Sequence, residues 1–444
     1  MKQNMRYFLV VFAWLIVMPL SAQTNLWRDI HKVKKGETVF SIAKEYDVTI
    51  DDILAANPEM KEPGYELKKG SWVFVPFSKK GDKTSKEERM VIPAKTIKVG
   101  VMLPLHNVNG DGNRMVEYYR GILMACNELR REGINTEIYA WNVPEEVDIR
   151  TTLLEKEADK MDVIFGPLYT KMVQPLSGFC KTYNIKMVIP FSINGNDVTE
   201  NPNIFQVYQS PGEIYGRMIS AFIERFPNHH TIFIDCADPT SDKGAYTKAL
   251  REQLDGMGVK YNLTSINTDG ADFAKAFSVN QPNVIVINSP KSPQLNAVFA
   301  KLDALKRVNP GLAISLYGYT EWLMYQKYDL DNFFKYNAYI PTTFYYNAVA
   351  DRTEKFERDY FQAFKRPMME ALPRFAITGY DHAMYFIHGI NDYGKKFTGE
   401  AKQSTYKPLQ TKLKFERVGA GGYKNAQFQL IHFLNNQTME AITY

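Results

Sequence analysis

Cysteine is scarce: Cys126, Cys180 and Cys236 are the three in 444 residues. An odd count leaves at least one unpaired within the chain, and their spacing fits no metal site, so the fold does not lean on disulfides. All three read as small buried apolar residues. Net charge is also slight, +5 over the whole chain, which excludes the basic footprint of a nucleic-acid binder. Beyond residue 22 no apolar run is long enough to cross a membrane. Catalytic patterns are missing as well: there is no His-Glu-x-x-His helix and no Gly-x-Ser-x-Gly elbow. His229-His230 follows Pro227 in a loop, Glu87-Glu88 and Glu145-Glu146 sit in polar contexts, and Gly110-x-Gly112 and Gly419-x-Gly421-Gly422 read as turns. Asp381-His382 reads as a helix start, with Asp381 as its cap. These absences predict a protein that is not an enzyme and holds no cofactor or metal.

What is present begins with a leader. Lys2 and Arg6 precede an apolar stretch from Tyr7 to Leu20, and Ser21-Ala22 offers a small-residue cleavage site before Gln23. This pattern predicts a secretory signal peptide over 1–22, and hence export to the periplasm with no transmembrane span after cleavage. No cysteine lies near the cleavage site, so a lipid anchor is not expected. The predicted organisation continues with a small domain over 30–77, a charged linker over 78–94 and a large domain over 95–444. Residues 78–89 contain no apolar side chain and read as a flexible tether.

The small domain shows a complete pattern: Val33-x-x-Gly36-Glu37-Thr38, then Ser41-Ile42-Ala43, Asn57-Pro58, and Gly70-x-x-Val73-x-Val75-Pro76. Val39, Ile42, Ala43 and Tyr46 recur at helical spacing, as do Ile50, Ile53 and Leu54. Thr49 with Asp52 three residues on makes a capping-box signature, and Pro58 stops the second helix. Strands at 32–33 and 72–75 complete a β-α-α-β reading, with Trp72 and Phe74 on the outer sheet face as packing or domain-contact residues. The segment resembles a LysM module, which implies binding of N-acetylglucosamine-containing glycan such as peptidoglycan. The resemblance places the sugar between two loops, Gly36, Glu37, Thr38 and Val39 on one side and Asn57, Pro58, Glu59 and Met60 on the other.

From residue 96 strand-like runs alternate with amphipathic helices, the signature of parallel sheets covered on both faces. Strands are expected at 97–103, 136–141, 162–165, 186–189, 231–235, 283–288 and 313–316. They are too many for one compact sheet, and Gln209-Ser210-Pro211-Gly212 reads as a crossing between two lobes. Phe165-Gly166-Pro167-Leu168-Tyr169, Val188-Ile189-Pro190-Phe191-Ser192 and Gly379-Tyr380-Asp381-His382-Ala383 resemble the type 1 periplasmic binding proteins, the leucine-binding-protein-like subgroup in particular. The fold class is thus α/β, a LysM domain plus a two-lobed domain with parallel sheets.

In such folds ligands sit at strand carboxyl ends between the lobes. The resemblance implies as cleft candidates His106, Tyr169, Thr170, Lys171, Ser192, Asn194, Asp238, Asp242, Glu321 and Tyr380. Lys171 and Met172 stand where amino-acid receptors carry small residues, and Asp242-Lys243-Gly244-Ala245 replaces their tyrosine-glycine turn. Two functions remain open. One is a non-catalytic peptidoglycan-binding protein whose two-lobed domain takes a ligand or a partner, such as a cell-wall synthase. The other is a receptor feeding an amino acid or another small solute to an ABC transporter.

Overall fold

The computed structural model describes residues 27–62, 65–76, 96–191, 195–348, 350–403 and 406–444. The leader and the charged linker lie outside the described residues, as do Ser192 and Asn194. The chain forms two compact bodies.

The first body holds the small module together with residues 355–367. Strand β1 (Trp27–Lys32) pairs antiparallel with β2 (Trp72–Pro76), with His31 opposite Val73 and Lys32 opposite Trp72. Two seven-residue helices, Val39–Glu45 and Ile50–Ala56, lie between them in sequence. Each opens on a capping box: Thr38 with Ser41, as well as the expected Thr49 with Asp52. Both satisfy backbone N–H groups that a helix start leaves without partners. The second helix ends before Pro58, which opens a turn over Pro58–Lys61. Val39, Ile42, Ala43, Ile53, Leu54, Val73 and Val75 form the buried interior. Two details differ from expectation. The first strand begins at Trp27, and Trp72 is 58% exposed rather than packed, with the Lys32 ammonium over its ring.

The second body contains two seven-stranded sheets among its described residues. The first is built from β3 (Ile97–Leu103), β4 (Thr136–Asn142), β5 (Val163–Phe165), β6 (Lys186–Ile189) and β7 (Ile204–Gln206). The second follows with β8 (His230–Asp235), β9 (Tyr261–Ser265), β10 (Asn283–Ile287), β11 (Ile314–Tyr317) and β12 (Tyr339–Thr342). The chain then returns to the first sheet for β13 (Phe415–Arg417) and β14 (Tyr423–Asn425), and crosses back for β15 (Gln429–Phe433) and β16 (Met439–Thr443). Strand order is β13-β14-β7-β6-β5-β3-β4 in lobe 1 and β16-β15-β12-β11-β10-β8-β9 in lobe 2.

Strands β3, β5, β6 and β7 pair parallel, as do β8, β10 and β11. Their side chains are almost all buried, because helices cover both faces. Lobe 1 is braced by the helices Gly110–Arg131 and Phe375–Tyr393, whose backbones touch at Gly121 and Gly379. Gly379 therefore lies inside the last long helix rather than opening it, and that helix starts at Phe375.

Three connections cross between the lobes, after β7, β12 and β14. The first and third are strapped together, and the second is tied back to the segment before β13. The Gln209 side-chain amide donates to the Gln427 carbonyl at 2.7 Å, Asn425 donates to the Val207 carbonyl at 3.3 Å, and Tyr345 N donates to Gln410 O at 2.9 Å.

Candidate functional site

The module's two loops are organised by residues whose side chains are already committed. Asn57 is fully buried. Its amide nitrogen donates to the Ile53 and Phe74 carbonyls at 2.7 and 2.8 Å, and its oxygen accepts from Phe74 N at 2.8 Å. The expected role of the Asn57 side chain in reading sugar is thereby corrected: it is a clamp between helix and strand. Glu37 behaves alike. Its carboxylate accepts from Lys34 N at 2.6 Å and pairs with the His31 ring at 2.8 Å. The hydrogen bond from His31, with that from Lys34, holds the Glu37 carboxyl below its ordinary range. His31 is buried and its other ring nitrogen meets the Tyr46 hydroxyl at 3.2 Å. Sequence reading missed this histidine; its alternation with outward-facing Lys32 is the signal that could have found it.

Val39 and Met60 are buried as well, so neither offers a side chain to a glycan. The Met60 carbonyl accepts from Lys365 Nζ at 3.1 Å, and that ammonium lies over the Tyr65 ring. What the two loops leave for a ligand is the backbone around Gly36 and Thr38, with Pro58 and Glu59. Gly36 has φ +85, a left-handed turn that favours glycine.

In the second body, several candidates gather at strand carboxyl ends. In lobe 1 the His106 ring seats against Gly112, at the start of the helix capped by Asn109, and accepts from Val108 N at 3.3 Å. Tyr169 comes to Asp111 of the same helix; burial, and to a lesser degree that carboxylate, push its phenol up. Gly166 precedes it with φ +139, and any Cβ there would stand 2.2 Å from the Met102 carbonyl oxygen. Thr170 and Lys171 are exposed in the turn that follows. Met172 is not: it packs beside Met102, Val143 and Ile149 inside the lobe. The expectation that Met172 crowds the cleft is corrected, because the turn aims it inward.

Lobe 2 contributes a polar cluster centred on a residue absent from the expected set. Lys243 is 7% exposed, donates to Glu321 Oε1 at 2.7 Å and lies over the Tyr319 ring. Burial alone would lower its ammonium, but the Glu321 hydrogen bond and charge outweigh burial and the net shift is upward. Asp242, 3.4 Å from the same ammonium, stays exposed. Glu321 and Asp242 are thus brought together through Lys243.

Asp238 is different. Its carboxylate accepts from Ser289, Thr240 and Lys291, which hold it well below the usual carboxylate range and commit it to its own loop. It is a loop organiser, which corrects its place as a ligand contact. Tyr380 packs along the helix Gly110–Arg131 with its backbone beside Gly121, and burial pushes its phenol up. Asp381, expected as a helix cap, lies within the helix and accepts from Tyr406 and from the backbone N–H groups of Leu409, Gln410 and Thr411 at 2.7–2.8 Å. Burial raises its carboxyl to about 6 despite those donors.

The LysM domain family matches residues 31–76 and the periplasmic binding protein family matches residues 146–426. No curated protein sequence matches the chain. A protein from Rhodospirillum rubrum assigned as a branched-chain amino acid ABC transporter shares 13% identity, over 78% of this chain and 100% of its own, with a TM-score of 0.51. A branched-chain amino acid ABC transporter periplasmic ligand-binding protein from Burkholderia xenovorans shares 13%, over 78% of this chain and 94% of its own, with a TM-score of 0.46. The isoleucine-bound LivJ of Streptococcus pneumoniae shares 15%, over 79% and 100%, with a TM-score of 0.40. At these identities the likeness concerns the fold, two lobes of mostly parallel sheet. No helix among the described residues is long and apolar enough to cross a membrane. With the second family covering more than half of its length, the chain belongs to the periplasmic binding proteins and carries a LysM domain ahead of that fold.

Proposed function

We propose that this is an exported, non-catalytic binding protein, held at the cell wall of the periplasm by its LysM domain, whose two-lobed domain takes a ligand. The observation that carries the reading is the union of a LysM domain and a periplasmic binding protein domain in one chain, both of them binding families. Glycan contact at the module falls to the backbone around Gly36 and Thr38 and to the exposed face of Pro58-Glu59. In the two-lobed domain the ligand meets His106, Tyr169 and Lys171 from lobe 1 and Lys243 with Glu321 from lobe 2.

The test uses the full chain. It is expected to co-sediment with insoluble peptidoglycan, to be released by soluble N-acetylglucosamine oligomers, and to liberate no soluble muropeptides. Failure to sediment, or release unaffected by the oligomers, overturns the wall-binding part. Muropeptides above a buffer blank overturn the non-catalytic part. A second reading, delivery of a small solute to an ABC transporter, is supported by the match to the periplasmic binding protein family.

A further inference from the structure

A cavity lies against the segments that follow β11 and β12. It encloses about 630 Å³ between the segments 323–330 and 344–348, the approach to the last long helix, and Met439. That volume is in the range of small-molecule sites. Its wall is largely apolar and aromatic, including Leu330, Phe344, Tyr345 and Tyr346. Tyr328, 80% exposed, stands at the wall, and Ala348 is exposed as well.

One strong polar group interrupts this lining. Arg374 donates from Nη1 to the Met369 carbonyl at 2.6 Å, and its guanidinium lies 5.1 Å from the centre of the Tyr346 ring. Its Nε is buried and meets no acceptor among the described residues. Arginine keeps its charge in proteins, so Arg374, which lines the cavity, brings it a fixed positive charge. Arg374 also joins the lobes: it immediately precedes the lobe 1 helix Phe375–Tyr393, whereas Leu330 and Met439 belong to lobe 2.

We propose that this cavity is a binding site for a small apolar monoanion. Its carboxylate or sulfonate accepts from Arg374 while an aromatic or aliphatic body lies among Leu330, Tyr345, Tyr346 and Met439. The lining of the cavity includes neither the Lys243–Glu321 pair nor His106. Lys327 adds a second positive charge to the wall and Glu370 one negative, so the balance favours an anion.

The experiment uses the full chain and two fluorescent probes, anionic 8-anilinonaphthalene-1-sulfonate and neutral N-phenyl-1-naphthylamine. The native protein is expected to bind each saturably, with one site per chain. Ala348→Trp, which fills the mouth from an exposed position, is expected to weaken both probes at least tenfold. Arg374→Met is expected to weaken the anionic probe about tenfold and leave the neutral one within about twofold. Non-saturable enhancement, or binding of both probes unchanged in Ala348→Trp, overturns the site. Equal loss of both probes in Arg374→Met with unchanged circular dichroism overturns the role of the arginine. If Arg374→Met does not fold, Arg374→Gln, which is polar but uncharged, gives the same comparison.

Discussion

Asn57 shows how a polar side chain can be spent on structure alone. Asn57→Ala removes the side-chain acceptor of Phe74 N and one donor each to the Ile53 and Phe74 carbonyls, the Ile53 carbonyl keeping the backbone N–H of residue 57, at a cost of roughly 1–3 kcal/mol in a module with a thin core. Asn57→Asp is expected to cost at least as much, because a carboxylate cannot donate to the Ile53 and Phe74 carbonyls. Limited proteolysis of 27–76 checks this: both variants are expected to be cut much faster than the parent. A residue that only touched sugar would weaken pelleting and leave proteolysis unchanged.

His382 makes a second residue-scale case. It is buried, its Nδ1 meets the Tyr118 hydroxyl at 3.0 Å, and its Nε2 has no partner among the described residues. Burial lowers its pKa to about 3, against about 6.5 in an unfolded chain. The unfolded state therefore binds the extra proton first. The contribution of His382 to stability is complete above pH 6.5 and is lost as pH falls toward 3, by about 1.4 kcal/mol per pH unit. Asp381 works the other way: its raised carboxyl favours the fold at low pH and loses that contribution as pH rises through about 6. His382→Asn keeps an acceptor for Tyr118 and does not titrate. Its melting temperature is expected to fall less than the parent's between pH 6.5 and 4, and parallel curves would refute the assignment.

At the scale of elements, the long helices of lobe 1 depend on two small residues. A Cβ at Gly121 would stand 1.8 Å from the Ala376 carbonyl oxygen, and one at Gly379 would stand 2.0 Å from that of Tyr118. Backbone cannot yield as a flexible side chain does, so Gly121→Ala or Gly379→Ala is expected to cost about 3 kcal/mol or more. Gly178 sits in an exposed part of the helix Val173–Tyr183 with nothing near its missing Cβ. Gly178→Ala is expected to add about 0.5–1 kcal/mol. Thermal melts of the three variants check both signs at once.

The same contrast explains what could be read in advance. Strand β3 from Val99 on and strand β10 after Asn283 are legible as apolar runs, and the Thr49–Asp52 box as a local pattern. Strand β12 does not, because Pro341 argues against an interior strand. It is tolerated because β11 pairs with β12 only at Tyr317 and Tyr339, before the proline is reached. Strand β9 is a half-exposed edge and β7 is three residues long, so neither carries a periodic signal. Lys243 escaped notice for another reason. Asp242-Lys243-Gly244 reads as a turn, and its partner Glu321 lies in a distant segment that only the folded sheet brings near.

For the whole molecule, the connections strapped at Gln209, Gln427, Tyr345 and Gln410 permit the lobes to hinge about a common line, so that a cleft ligand contacts both. Such a ligand at 100 times its dissociation constant adds about 2.7 kcal/mol to stability. The lobe 2 side decides which ligands qualify. A free amino acid brings an ammonium that needs an acidic partner, and Glu321 already holds Lys243 at 2.7 Å. Displacing that buried lysine would leave it only the longer, exposed contact with Asp242 at 3.4 Å, which disfavours the exchange. Leucine and isoleucine at millimolar concentration are therefore expected to leave the melting temperature unchanged and the radius of gyration in small-angle scattering constant. A saturable upward shift with either one, accompanied by a smaller radius and lost in Glu321→Gln, would show that the pair opens for the ligand and would make this chain an amino-acid receptor.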